Sequence, residues 1–169
     1  GDTAPVAGDT VTFDATSTKN AIWDSSGPAS IASLSVTSAY SGVFSITKST
    51  VEVDGSWTWA GTGSFNAGTS TLKFGTTACT ATFTPGSVSY YNLDISLSTG
   101  CHYTFTVSGT ANIANNFTVT TATSNSVING GTVNIGEIVG DDGDRIGIAQ
   151  YFPDARHLFG GGAVATRQP

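Results

Sequence analysis

Two five-residue runs constrain this chain more than anything else in it. Cys79-Thr80-Ala81-Thr82-Phe83 and Cys101-His102-Tyr103-Thr104-Phe105 both read Cys-x-x-Thr-Phe, 22 residues apart, and they hold both cysteines of the chain. If the chain winds so that successive units stack as parallel strands, equivalent residues lie roughly 4.8 Å apart. That spacing falls within the usual Cα separation of a disulfide, about 4.4–6.8 Å. The expectation is a coil that closes every 20-odd residues, with one rung stapled to the next through Cys79 and Cys101.

A second periodicity points the same way. Two apolar residues flanking a third place both on one face of a strand. Such pairs occur at Val11/Phe13, Leu34/Val36, Val51/Val53, Leu72/Phe74, Leu93/Ile95, Phe117/Val119 and Val133/Ile135, at steps of 23, 17, 21, 21, 24 and 16 residues. Periods of this size mark solenoids, in which turns absorb insertions while inward strands stay aligned.

Charged residues make up only 11% of the 169 residues, against roughly 25% in ordinary domains. Thr, Ser, Asn and Gly alternating with apolar side chains must supply the wet surface, and that alternation reads as many short strands. No stretch has helical periodicity, and no apolar run is long enough to span a bilayer. A formal charge of −6 argues against nucleic acid and anionic membrane surfaces as partners. The chain holds no Met and starts at Gly1. A removed signal peptide, together with an oxidised cysteine pair, gives the expectation of an exported protein at the cell surface or beyond.

Three zones follow. Residues 1–9 are a Gly/Asp/Pro opening segment, residues 10–139 the strand-rich body, and residues 140–169 a non-repeating segment that either caps the last rung or reaches another molecule. Gly42, Gly55, Gly68, Gly86, Gly100, Gly109 and Gly130-Gly131 punctuate the body, each able to supply the positive φ of a tight corner.

The run Gly63-Ser64-Phe65-Asn66-Ala67-Gly68-Thr69-Ser70-Thr71-Leu72-Lys73-Phe74 resembles the rungs of bacterial β-solenoid surface proteins. So do Gly8-Asp9-Thr10-Val11-Thr12-Phe13-Asp14 and Tyr91-Asn92-Leu93-Asp94-Ile95. The resemblance covers roughly residues 8–139. It implies a right-handed parallel β-helix, here of about six to seven rungs, in exported proteins that are structural or adhesive. The competing architecture is an antiparallel β-sandwich. Its support is Thr50-Val51-Glu52-Val53-Asp54-Gly55-Ser56-Trp57-Thr58-Trp59, where Asp-Gly would join two strands as a hairpin.

Sites for chemistry are few. Asp141, Asp142 and Asp144, set among glycines, could offer oxygen ligands to calcium, although the spacing is not that of an EF-hand; a solvated turn is the simpler reading, and no other cofactor is expected. Glu52, Lys73 and Asp94 share the central position of successive apolar-x-apolar strands. In a parallel stack they form either an acid–base–acid row or, more simply, an outward ladder of cross-strand pairs. Trp23, Trp57, Trp59, Tyr90 and Tyr91 could make a sugar platform, yet Trp57 and Trp59 share a face that is more often core.

These features favour a non-catalytic extracellular structural protein, a subunit of a self-assembling fibre, sheath or surface array. The tail residues Ala163, Val164, Ala165 and Thr166, after the Gly160–Gly162 hinge, would donate a strand to the next copy, so that the partner is a homo-polymer. An adhesin or carbohydrate-binding module is the second reading, with a glycan as partner. A polysaccharide-acting enzyme is the third.

Overall fold

Short runs in which Val, Leu, Phe or Trp alternate with Ser or Thr suit strands that are dry on one face and wet on the other. The computed structural model describes residues 4–75, 79–97, 104–121, 127–139 and 145–151, and the regular structure among them is all β. The chain makes five three-stranded turns. The first holds β1 (Thr10–Phe13), β2 (Ala21–Trp23) and β3 (Ser30–Ile31); the second β4 (Ser33–Val36), β5 (Phe44–Ile46) and β6 (Thr50–Val53). The third holds β7 (Trp57–Trp59), β8 (Phe65–Asn66) and β9 (Thr71–Phe74); the fourth β10 (Thr80–Thr84), β11 (Ser89–Tyr90) and β12 (Asn92–Leu97). β13 (Thr104–Val107), β14 (Thr110–Ile113) and β15 (Phe117–Thr121) complete the fifth. β16 (Val127–Asn129), β17 (Thr132–Val139) and β18 (Arg145–Tyr151) follow.

Strands three apart in sequence pair in parallel, so each turn lies on the one before it. The first face is β1-β4-β7-β10-β13-β16 and the third is β3-β6-β9-β12-β15. The second face is split into β2-β5-β8 and β11-β14-β17, with β18 added antiparallel to β17. The fold is therefore a parallel β-solenoid, with about five turns where the sequence suggested six to seven. The sandwich alternative falls. β6 pairs with β3 and β9, and β7 with β4 and β10, so Asp54-Gly55 is a corner between two faces and not a hairpin turn.

The registers also correct the repeat. On the third face Val51, Leu72, Leu93 and Phe117 stack in one column, at the 21- and 24-residue steps read from the sequence. Val11 and Leu34 instead belong to the first face, continuing into Trp57, and Val133 belongs to the second. The short steps of 17 and 16 are thus jumps between faces. The Cys-x-x-Thr-Phe runs are offset too: Phe83 stands opposite Val107 and Ala81 opposite Phe105, a step of 24 rather than 22. The slip is even, so the same side chains still face inward.

The core is one continuous column of rings and branched chains. Trp57, Phe74, Phe83, Ile95 and Phe105 are fully buried. Corners are tight enough to exclude side chains. A Cβ on Gly63 would sit 1.9 Å from the carbonyl oxygen of Gly42 one turn below, so direct stacking of those turns demands glycine. Gly100 lies outside the described residues; Gly68, Gly86, Gly109, Gly130 and Gly131 take positive φ as expected, while Gly42 and Gly55 do not. At these two the constraint is space: the missing Cβ would meet Lys19 O at 2.9 Å and Ala32 O at 2.7 Å, respectively.

Candidate functional site

The charged column stands on the third face as an outward ladder. Lys73 lies opposite Glu52 on one side and Asp94 on the other. Its Nζ donates to Glu52 Oε2 at 3.0 Å, with both side chains about three-quarters covered. Other acids of the body are held by nearby groups. Asp9 accepts from Val6 N. Asp14 accepts from the hydroxyl and then the N–H of Thr16, and Asp24 likewise from Ser26; these bonds hold both carboxyls below their usual range. Among the described residues no three His, Cys, Asp or Glu side chains cluster as metal ligands. Asp141, Asp142 and Asp144 lie outside the described residues.

Of the five aromatics that could have made a platform, four are not on the surface, and Tyr91 alone is partly exposed. Trp23, Trp57, Trp59 and Tyr90 are 6%, 0%, 2% and 2% exposed, so they build the core and cannot stack on a sugar. Trp57 Nε1 donates to Tyr90 Oη at 2.9 Å, and Tyr90 Oη donates to Pro85 O at 3.0 Å. Burial pushes the Tyr90 phenol well above its ordinary value. The same residues bridge the split in the second face. β8 and β11 form no ladder, yet the rings of Phe65 and Tyr90 meet at 5.0 Å across the gap.

Two asparagine columns differ in how fully their amides are used. At the corner leading into the third face, Asn92 Nδ2 donates to Thr71 Oγ1 at 3.2 Å. Asn92 Oδ1 accepts from Asn115 Nδ2 at 2.8 Å and from Asn116 N at 3.2 Å. On the second face Ser89, Asn112 and Asn134 share one column, where a single bond runs from Asn134 Nδ2 to Asn112 Oδ1 at 3.0 Å. This second column lines a concavity of about 360 Å³, together with Ile113, Ala114 and Ile135. Neither asparagine column stood out in the sequence, because each joins residues about 22 positions apart whose registers the corners decide.

The two ends of the solenoid are unlike. Among the described residues, β1, β2 and β3 of the first turn each pair on one side only. Val11, Phe13 and Ala21 there are half-buried, whereas Leu34, Val36 and Phe44, which stack on them, are 1%, 0% and 1% exposed. At the far end β17 runs eight residues and is covered by β18, while β15 and β16 keep a free edge among the described residues.

Cys79 precedes β10, and its carbonyl accepts from Thr104 N at 2.9 Å. Among the described residues no cysteine is free. Cys101 and the tail residues Ala163, Val164, Ala165 and Thr166 lie outside the described residues. Also among the described residues, no helix is long and apolar enough to cross a membrane.

No protein-family model, no curated protein and no solved structure matches this chain. Of the resemblance noted above, the β-solenoid fold stands.

Proposed function

We propose that this chain is a non-catalytic structural protein of the cell exterior, a subunit that joins copies of itself into a fibre, sheath or surface array. The observation that carries the reading is the open first turn. Three strand edges present unpaired N–H and C=O groups in one layer, over apolar side chains whose partners in the second turn are buried. Such an edge is a template for another strand, and natural proteins that stay monomeric usually blunt it with charge, proline or a bulge.

The arm Ala163–Thr166 of one copy supplies a strand for that edge in the next, the strand-addition mode of assembly. The donor and the acceptor are different surfaces, so the contact is head-to-tail and propagates. A disulfide between Cys79 and Cys101 belongs to the same reading. Both residues fall in the stretch that leads from the third face to the first, in successive turns, and a covalent staple there suits an oxidising compartment.

Negative-stain electron microscopy and light scattering over a concentration series test the proposal. Wild-type protein is expected to grow into filaments or sheets. Val11→Lys, which sets a charge on the open edge, and deletion of 163–169 are each expected to leave single particles of unchanged circular dichroism. Single wild-type particles at every concentration, or growth unaffected by both changes, contradict it.

A further inference from the structure

The concavity on the second face binds a neutral saccharide, we infer, through the amides of Asn112 and Asn134 and the hydroxyl of Ser89. Hydrogen bonds left unused in this column point to the ligand, whether or not copies of the chain assemble. In the Asn92 column one amide spends its N–H on Thr71 and its oxygen on two donors, as a structural ladder should. In the Asn112 column the one bond from Asn134 Nδ2 to Asn112 Oδ1 leaves Asn112 Nδ2 and Asn134 Oδ1 with no partner among the described residues. Ser89 Oγ, one strand before, has none among them either. Beyond Asn134 the column passes to Ala149 in β18, a residue type with no polar side-chain group to offer.

Half-buried amides that are not paired within the protein must bond to solvent or to a ligand. Here a donor, an acceptor and a hydroxyl stand in strands about 4.8 Å apart. That arrangement fits a partner with donors and acceptors on adjacent carbons, which is the chemistry of vicinal hydroxyls. Of the remaining lining, only exposed Ala114 offers apolar surface to the C–H face of a pyranose ring, since Ile113 is buried in the core and Ile135 packs against it. Among the described residues no charged side chain lines the concavity, so none of them offsets the desolvation of a carboxylate or phosphate. A volume of about 360 Å³ lies at the small end of the roughly 300–1,000 Å³ range of ligand sites, enough for one or two sugar rings.

The test is an amide-resolved NMR titration with cellohexaose, maltohexaose and mannohexaose, and with hexagalacturonate as the charged control. At least one neutral hexasaccharide is expected to shift Ser89, Asn112 and Asn134, with a Kd near 1 mM, as suits a site without aromatic stacking. The Asn112→Ala/Asn134→Ala double variant should weaken that binding at least tenfold. Ser89→Ala, which removes no internal hydrogen bond, should weaken it several-fold and keeps the test decisive if the double variant unfolds. The inference is overturned if no neutral hexasaccharide shifts these residues at about 10 mM, ten times that Kd. It is equally overturned if hexagalacturonate binds as well, or if the variants bind as wild type does.

Discussion

Trp57 and Trp59 sit two residues apart on one strand, equally buried, and differ in one hydrogen bond. Trp57 Nε1 reaches Tyr90, whereas Trp59 Nε1 has no partner among the described residues. Trp57→Phe leaves Tyr90 without its donor, while Trp59→Phe deletes an unsatisfied one. The first substitution is expected to cost about 1 kcal/mol more than the second in urea denaturation; equal losses would show that the Trp57–Tyr90 bond adds nothing. Tyr90 adds a pH prediction. Its folded-state pKa is raised, so its contribution is complete below the unfolded value of 10.0 and drains away as pH rises past it. Wild type should lose about 1.4 kcal/mol per pH unit relative to Tyr90→Phe above that point; parallel curves for the two proteins would contradict it. That Trp57 and Trp59 share the core side was legible from their spacing. Which indole is bonded was not, because the partner lies a full turn further along the chain.

Strands and columns carry the next level. The ladder of Glu52, Lys73 and Asp94 was readable because all three occupy the middle of apolar-x-apolar strands at steps of 21 residues, and the third face keeps those steps. Half-exposed ladder pairs contribute about 0.2–1 kcal/mol each. Lys73→Ala should therefore cost little, whereas Lys73→Glu sets three carboxylates in one file and should destabilise by more, with 1 M salt recovering much of the difference. A salt-independent loss would point to packing of the Lys73 stem instead. Register on the first face was less legible. The corner from the third face back to the first lengthens from Ala32 alone to Asp54–Ser56 and then to 75–79, so a fixed period drifts by two residues at the cysteine runs. From β1 to β13 the outward residues of that face are nevertheless uniform. Thr10, Thr12, Ser33, Ser35, Thr58, Thr82, Thr84, Thr104 and Thr106 make an uncharged hydroxyl surface, which is how a chain with so few charges keeps a wet exterior.

At the scale of the molecule, winding creates ends, and sequence periodicity says nothing about how ends are treated. The hairpin of β17 and β18 departs from the repeat, and the sequence marked its onset only as a change of composition after Val139. The open first turn could not be read at all, since Val11 and Phe13 look like any other apolar pair until their neighbours are placed. Both ends are products of the layers between them. Interstrand nuclear Overhauser effects test those layers most directly. Hα–HN cross-peaks are expected to link Glu52 with the residues around Lys73, and Lys73 with those around Asp94, with none between Val51–Val53 and Trp57–Trp59. Cross-peaks of an antiparallel hairpin across Asp54-Gly55, with none between strands 21 residues apart, would contradict that layering.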